Sequence, residues 1–335
     1  MFSIKHSFAS QRGVTMTLYL SHEPALRYWL TRTAAHALPD CAPEHTLMRA
    51  SAGMAEIALA SLPFDPSPKR PLHLLMPSPD AHRDRSIVRP HVQAQELPPG
   101  SFRCLVGDVR VSSPELTYLQ LAARRPLSEV VTYGSYLCAG FCVDEDGSYL
   151  GLREPLTTTY DIAAYLGRIP EAYGASKARR ALGYVVGNTA SPMEVALAVL
   201  LSLPVREGGW EMPHIVANHR IDIDDELKPL ADAECYFGDL LIPAVNGDLE
   251  YDSKEFHSGS YRLDHTQARR NVLEAMGIRT ISATIGQIAD ARRFDHFMYM
   301  VRRRFELEQL ACTLEESERQ HRLHDTLLRR ERALF

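Results

Sequence analysis

The spacing of apolar residues changes period several times along the chain, and each change marks an element. In "LSHEPALRYWLTRTAAHAL" the residues Leu26, Tyr28, Trp29 and Leu30 fall on or near one helical face, so the pattern predicts an early helix. "PLHLLMPSP" reads as a strand ended by a proline-rich turn, and "IVRPHVQAQEL" and "FRCLVGDVRVSS" read as further short strands. "SSPELTYLQLAARRPLSEVVTYGSYLCAGF" then turns helical, with Ser113, Pro114 and Glu115 as its start and Leu116, Leu119 and Leu121 as apolar contacts. Residues 143 to 190 mix turns and short helices, among them the basic amphipathic "GASKARRALGYVV".

The last third carries sharper signals. "TASPMEVALAVLLSLP" is a strongly apolar helix; "YFGDLLIP" is a strand joined by the turn "AVNG" to a second strand, "GDLEYDSKEFH". "DHTQARRNVLEAMG" is a helix that Asp264 can cap, with Gln267 three residues on and Gly277 closing it. "IRTISATIGQI" is a third strand, and the chain from "ARRFDHF" onward is helical to its end. Two antiparallel strands followed by a strand–helix–strand crossover make a mixed sheet with helices on its faces. The expected class is therefore α/β: an α+β domain over 1–175, a mixed-sheet domain over 186–310 and a helical extension over 311–335.

Composition narrows this little. A chain of 335 residues with 45% hydrophobic positions has ample length for a core and a soft expectation of two domains. A net charge of -5 excludes a global basic field, so any nucleic-acid binding rests on local patches. The six cysteines are scattered; Cys138 and Cys142 stand close, but Cys-x3-Cys without a second pair is a poor zinc signal, and buried reduced thiols are the better reading. No apolar run approaches the roughly 20 residues that span a bilayer, and the N-terminus lacks a continuous apolar signal segment, so a soluble cytoplasmic protein is expected. Asp144, Glu145 and Asp146 do not match the spacing of a calcium loop, and the C-terminal helices lack sustained apolar heptads.

Candidate chemistry concentrates in the hairpin. Glu250 and Asp252 stand two apart on a strand and so share a face, and the hairpin can bring Asp239 beside them. Clustered carboxylates repel unless a cation balances them, and a hard cation such as Mg2+ takes such oxygen ligands. Lys254 or His257, just beyond, could hold a water or shuttle its proton. The charges of "EYDSKE" also suit an edge strand kept from aggregating, and the strand by itself does not decide between the two. Glu194 has a structural reading of its own, because Ser191-x-x-Glu194 with Pro192 is a capping box. His265, alone on a first helical turn, reads as solvated.

Taken in order, "SPMEVALAVLLSLP", "ANHRIDI", "YFGDLLIP", "LEYDSKEFH" and "DHTQARRNVLEAMGIRTISAT" resemble the endonuclease domains related to very-short-patch repair, of the PD-(D/E)XK superfamily, over roughly residues 188 to 300. The resemblance implies a restriction-endonuclease-like sheet and Mg2+-dependent hydrolysis of DNA phosphodiesters. Asp239 would be a metal ligand and Glu250 the second acidic position, and Asp252 would fill the place where many relatives have lysine while remaining in the metal site. Glu194 would be the helix acid, His257 the histidine after the strand, and Asp264 and Arg269 the paired residues of the next helix. Ser253 replaces the family's glycine, and Asp252-Ser253-Lys254 spells a literal Asp-x-Lys, so the register of the acidic pair stays open. The N-terminal half is faintly similar to AbiEi-type antitoxins of type IV toxin–antitoxin systems, without room for a winged helix before residue 20. That likeness carries the alternative function: a non-catalytic DNA-binding repressor with a toxin as protein partner.

For DNA, the phosphate-binding candidates are Arg269 and Arg270, with further basic residues at Lys177, Arg179 and Arg180, at Arg292 and Arg293, at Arg302 to Arg304, and at Arg329, Arg330 and Arg332. The competing reading for the last helix is a solvated face with salt bridges to Glu306, Glu308, Glu315 and Glu316.

Overall fold

The computed structural model describes residues 16–33, 47, 49–78, 86–231, 233–252 and 260–328, with the side chains of 252 and 260–266 outside that description. The chain divides into two units: Met1–Ala25 with Ala37–Thr117, and Leu26–His36 with Tyr118–Phe335.

The first unit holds β1 (Leu18–Leu20), the start of α1 (His22–Leu30), α2 (Met54–Leu59), β2 (Leu72–Met76), β3 (Val88–Val92), β4 (Phe102–Cys104), β5 (Val109–Ser112) and the start of α3 (Pro114–Arg124). Its five strands form one sheet in the order β3-β2-β1-β5-β4. β1 runs parallel to β5 and antiparallel to β2, and β2 runs parallel to β3. β1 is central and wholly buried, which is why its three residues are all large and apolar.

The second unit continues with α4 (Leu127–Leu137), the hairpin β6 (Phe141–Val143) and β7 (Tyr149–Leu152), α5 (Thr159–Arg168), α6 (Ala175–Leu182) and α7 (Pro192–Ser202). Next come β8 (Val216–Asp222), β9 (Cys235–Ile242), β10 (Gly247–Asp252), α8 (Ser260–Ala275), β11 (Arg279–Thr284), α9 (Ile285–Ile288), α10 (Ala291–Arg304) and α11 (Leu314–Leu328). The four strands order as β11-β10-β9-β8. β8, β9 and β10 form an antiparallel meander; α8 then crosses over and β11 returns parallel to β10 from Gly247↔Arg279 to Asp252↔Thr284. This is the mixed sheet that the sequence pattern predicts, and the chain is α/β. α7 is apolar on every side and accordingly buried on every side from Met193 to Leu201. Each fully buried leucine there contributes roughly 1.5–3 kcal/mol.

Some elements depart from expectation for local reasons. β8 is an additional strand: the polar run Asn218-His219-Arg220 breaks the alternation by which strands are read. α8 starts at Ser260, so Asp264 lies inside the helix and does not cap it. Gly277, at φ 78°, closes α8 in the left-handed conformation that glycine adopts most readily. The C-terminal stretch is not one helix. α10 stops at Phe305, and the buried Arg302 fixes the break by donating from Nε to the Glu308 carbonyl (2.5 Å) and from a terminal nitrogen to the Trp210 carbonyl (3.0 Å). On α11 Arg319 pairs with Glu315 and Arg322 with Glu318, the solvated face that the charge spacing suggests.

Among the described residues no helix is long and apolar enough to cross a membrane. Cys104, Cys138, Cys142, Cys235 and Cys312 are free thiols, the middle pair buried.

Candidate active site

The hairpin of β9 and β10 gathers the acids. Pro243–Val245 form a turn of 3-10 helix, Asn246 takes a left-handed conformation, and pairing starts at Gly247↔Ile242 and runs to Leu249↔Leu240. Further along, the Tyr251 N–H donates to Asp239 Oδ2 at 2.8 Å, so a carboxylate sits in the seam between the strands. Strand alternation puts Asp248 and Glu250 on one face of β10 and Leu249 on the other.

Asp248 is the acid that the motif reading passes over, and it is the most deeply placed. It is 0% exposed; no N–H reaches either carboxyl oxygen, and in its protonated form it donates to the Glu250 carboxylate. Burial drives its pKa up to about 8, the negative charges of Glu250 and Asp239 push the same way, and Arg269 opposes them. Burial also raises Glu250, against the pull of Arg269 and with the push of Asp239. Asp239 is raised by burial and held back by the Tyr251 N–H and Arg269. The signal for Asp248 lies in "GDLEYD", where acids fall at every second position, 248, 250 and 252.

Glu194 enters from the first turn of α7. Ser191 Oγ accepts from the Glu194 N–H (3.2 Å) and donates to Glu194 Oε1 (2.8 Å), while Glu194 Oε2 accepts from the Ala190 N–H (2.8 Å). The helix-capping role is therefore present. The same carboxylate also faces the sheet: Asn218 on β8, in a left-handed conformation at φ 47°, donates to Oε2 at 2.9 Å. Burial raises the Glu194 pKa, and the charge of Asp239 adds to that shift. Glu194 thus caps its helix and also feels the charge of Asp239.

Among the described residues Arg269 answers these charges most directly, and Arg270 adds a weaker pull on Glu250. Arg269 on α8 reaches Glu250 Oε1 and the Phe237 carbonyl, each at 2.5 Å, and lies 5.6 Å from the centre of the Tyr236 ring. Expected to face phosphate, it is turned into the cluster. Arg270 is half-exposed and pairs with Glu274 at 3.5 Å. Asp252 ends β10, and its side chain lies outside the described residues, as do Lys254 and His257.

The space for Asp248 comes from Gly238. A β-carbon there would stand 2.7 Å from Asp248 Oδ1 and 2.8 Å from Oδ2. Gly238→Ala is expected to push the carboxylate aside and cost about 1–3 kcal/mol. Urea unfolding measures the loss, and midpoints equal to wild type would show that the carboxylate is not confined.

These side chains suit a hard cation: the carboxylates supply oxygen ligands, and no N–H reaches the buried Asp248 oxygens, whose proton is shared with Glu250. They are not closed around one point, since among the described residues the trio of metal-ligand atoms lying mutually within 4.8 Å is a histidine group of the first unit. Comparison of the chain with protein-family models, with curated proteins and with solved structures finds no match.

Proposed function

We propose that the second unit is a divalent-cation-dependent endonuclease-like hydrolase acting on DNA phosphodiesters, with its site at Asp239, Asp248 and Glu250. One observation carries this reading: a fully buried carboxyl that no N–H reaches, sharing a proton with Glu250, lying near Asp239 and facing Arg269 across the cluster. Such a group is costly to ionise unless a cation joins it. Asp239, Asp248 and Glu250 would hold Mg2+, with Asp252 at the end of the same strand as a further oxygen ligand. When bound, that ion polarises a phosphoryl oxygen and acidifies a water. Glu194, fixed by Ser191, Ala190 and Asn218, lies near enough to Asp239 for the two charges to act on each other. Lys254 and His257 follow β10 in sequence and are the groups to hold or move a proton. Arg269 must release Glu250 for the acids to close on an ion, and its fork is then available to a phosphate. DNA as substrate class rests on the sequence resemblance, and a cytoplasmic location goes with it.

A second reading is favoured by the Arg269–Glu250 pair itself, which lets the cluster persist without metal. In that reading the unit is a DNA-binding body of an antitoxin-like repressor with a toxin partner.

Supercoiled plasmid incubated with the full chain distinguishes them. Nicking in Mg2+ that stops in EDTA is the expected result. DNA shifted equally with and without chelator, and left intact, would replace the hydrolase with the repressor. Neither cleavage nor a shift would remove both.

A further inference from the structure

The first unit holds a second set of chemistry-bearing side chains, separate from the acids. His91 is registered opposite Leu75, two positions along β2 from His73. Alternation therefore puts both imidazoles on the same face of the parallel β2–β3 pair. His91 Nε2 stands 3.0 Å from His73 Nδ1. His22 arrives from the end of β1, whose Leu20 pairs with Leu74, and the ring centres of His22 and His91 are 3.9 Å apart. One ligand atom from each of the three histidines lies within 4.8 Å of the other two.

The surroundings prepare these rings for an ion. Ser21 Oγ gives its single proton to the His73 carbonyl (3.1 Å), so toward His22 Nδ1, 2.9 Å away, it acts as acceptor. With Nδ1–H as the donor to Ser21, His22 would turn its Nε2 lone pair to an ion. An imidazole oriented through its other nitrogen by an oxygen acceptor is the usual arrangement behind a metal-ligating histidine. His22 also holds a left-handed backbone at φ 54°, a region that residues other than glycine enter seldom and that recurs at functional sites. Glu23 Oε2 lies 3.3 Å from His73 Nδ1. In a tetrahedron with bonds of about 2.0–2.1 Å, neighbouring ligand atoms stand about 3.3–3.4 Å apart, so the spacings at His73 need to open by a few tenths of an ångström at most.

We propose that His22, His73 and His91 form a binding site for a divalent transition metal ion of the zinc class, with a solvent oxygen completing the coordination. Imidazole nitrogens select such an ion over Mg2+, which sets this site apart from the carboxylate cluster. The near-parallel His22 and His91 rings, 25° between planes, must tilt so that both lone pairs meet one ion.

The test uses the full chain stripped with EDTA, then titrated with Zn2+ alone by calorimetry and with Co2+ alone by visible absorption. The expected result is a ligand-field spectrum of low-symmetry, four-coordinate Co2+ that Zn2+ displaces. His91→Gln on the edge strand β3 should abolish that spectrum and weaken Zn2+ by about 100-fold or more, and Ser21→Ala should weaken it by roughly 10-fold. Asp239→Asn and Asp248→Asn should leave the spectrum unchanged. Far-UV circular dichroism establishes that each variant is folded. A folded wild type that binds neither ion, a histidine cluster sharing protons only, would overturn the proposal. So would a Co2+ spectrum that survives in folded His91→Gln or disappears in Asp248→Asn.

Discussion

Asp239→Asn is expected to lower Mg2+-dependent DNA cleavage by roughly 10^3-fold without loss of fold. The two halves of that expectation come from different atoms. Asp239 Oδ2 accepts the Tyr251 N–H at 2.8 Å, and an asparagine carbonyl oxygen can accept the same bond, so the seam between β9 and β10 keeps its link. Removing the charge also relieves pressure on Glu194, Asp248 and Glu250, whose protonation the Asp239 carboxylate favours. What the variant loses is an anionic oxygen for the cation. A cation's hold on developing phosphoryl charge is worth several kcal/mol, and about 1.36 kcal/mol corresponds to tenfold in rate. The comparison is made on purified proteins with equal thermal midpoints, by plasmid nicking over a Mg2+ series. Cleavage at the wild-type rate would remove the carboxylate cluster as the active site.

Legibility of the fold followed how far each element's signal is local. The hairpin, the crossover helix α8 and the parallel β11 were readable because turn chemistry and capping residues announce them: "AVNG" at one end, Gly277 at the other. β8 was not readable as a strand, since its pairing with β9 overrides a polar run that alternation would reject. The break after α10 depends on Arg302 reaching the carbonyl of Trp210, a contact 92 positions distant that no periodicity encodes. At the site, Asp239, Glu250 and Glu194 were legible as acids with company. The weight on Asp248 was not, because it depends on burial and on the cradle that Gly238 leaves, both properties of the sheet. Arg269 was legible as a cation, but its partner was not: Glu250 and the Phe237 carbonyl are supplied by other strands. The histidine group has no signature in sequence at all, since positions 22, 73 and 91 meet only through the order of β1, β2 and β3.

Wild-type stability in EDTA should fall as pH rises from about 5 to 8, and Asp248→Asn should flatten that fall. Asp248 titrates at about 8 in the folded chain against an ordinary 3.8, so folding favours its protonated form. Between those two values the native state holds a proton that the unfolded chain has released, and stability then decreases with pH. The contribution is complete below about pH 3.8 and is lost as pH rises through 8. The Asp248–Glu250 pair shares this proton, and one proton gives a slope of up to about 1.4 kcal/mol per pH unit. No exposure to solvent screens this cost, because the side chain is fully buried. Asparagine is nearly isosteric, carries no charge and can donate from its amide to Glu250, so the variant should be the more stable protein at pH 8 by several kcal/mol. Mg2+ should act oppositely on the two chains. An ion bound by the folded carboxylates at 100 times its dissociation constant adds about 2.7 kcal/mol to the wild type at pH 8, and the variant, lacking one ligand, should gain far less. Urea midpoints at pH 5 and pH 8, with Mg2+ and with EDTA, measure all four states. Parallel pH profiles for the two proteins would mean that Asp248 is not the buried acid that sets the cost, and equal Mg2+ responses would mean that the ion does not bind there.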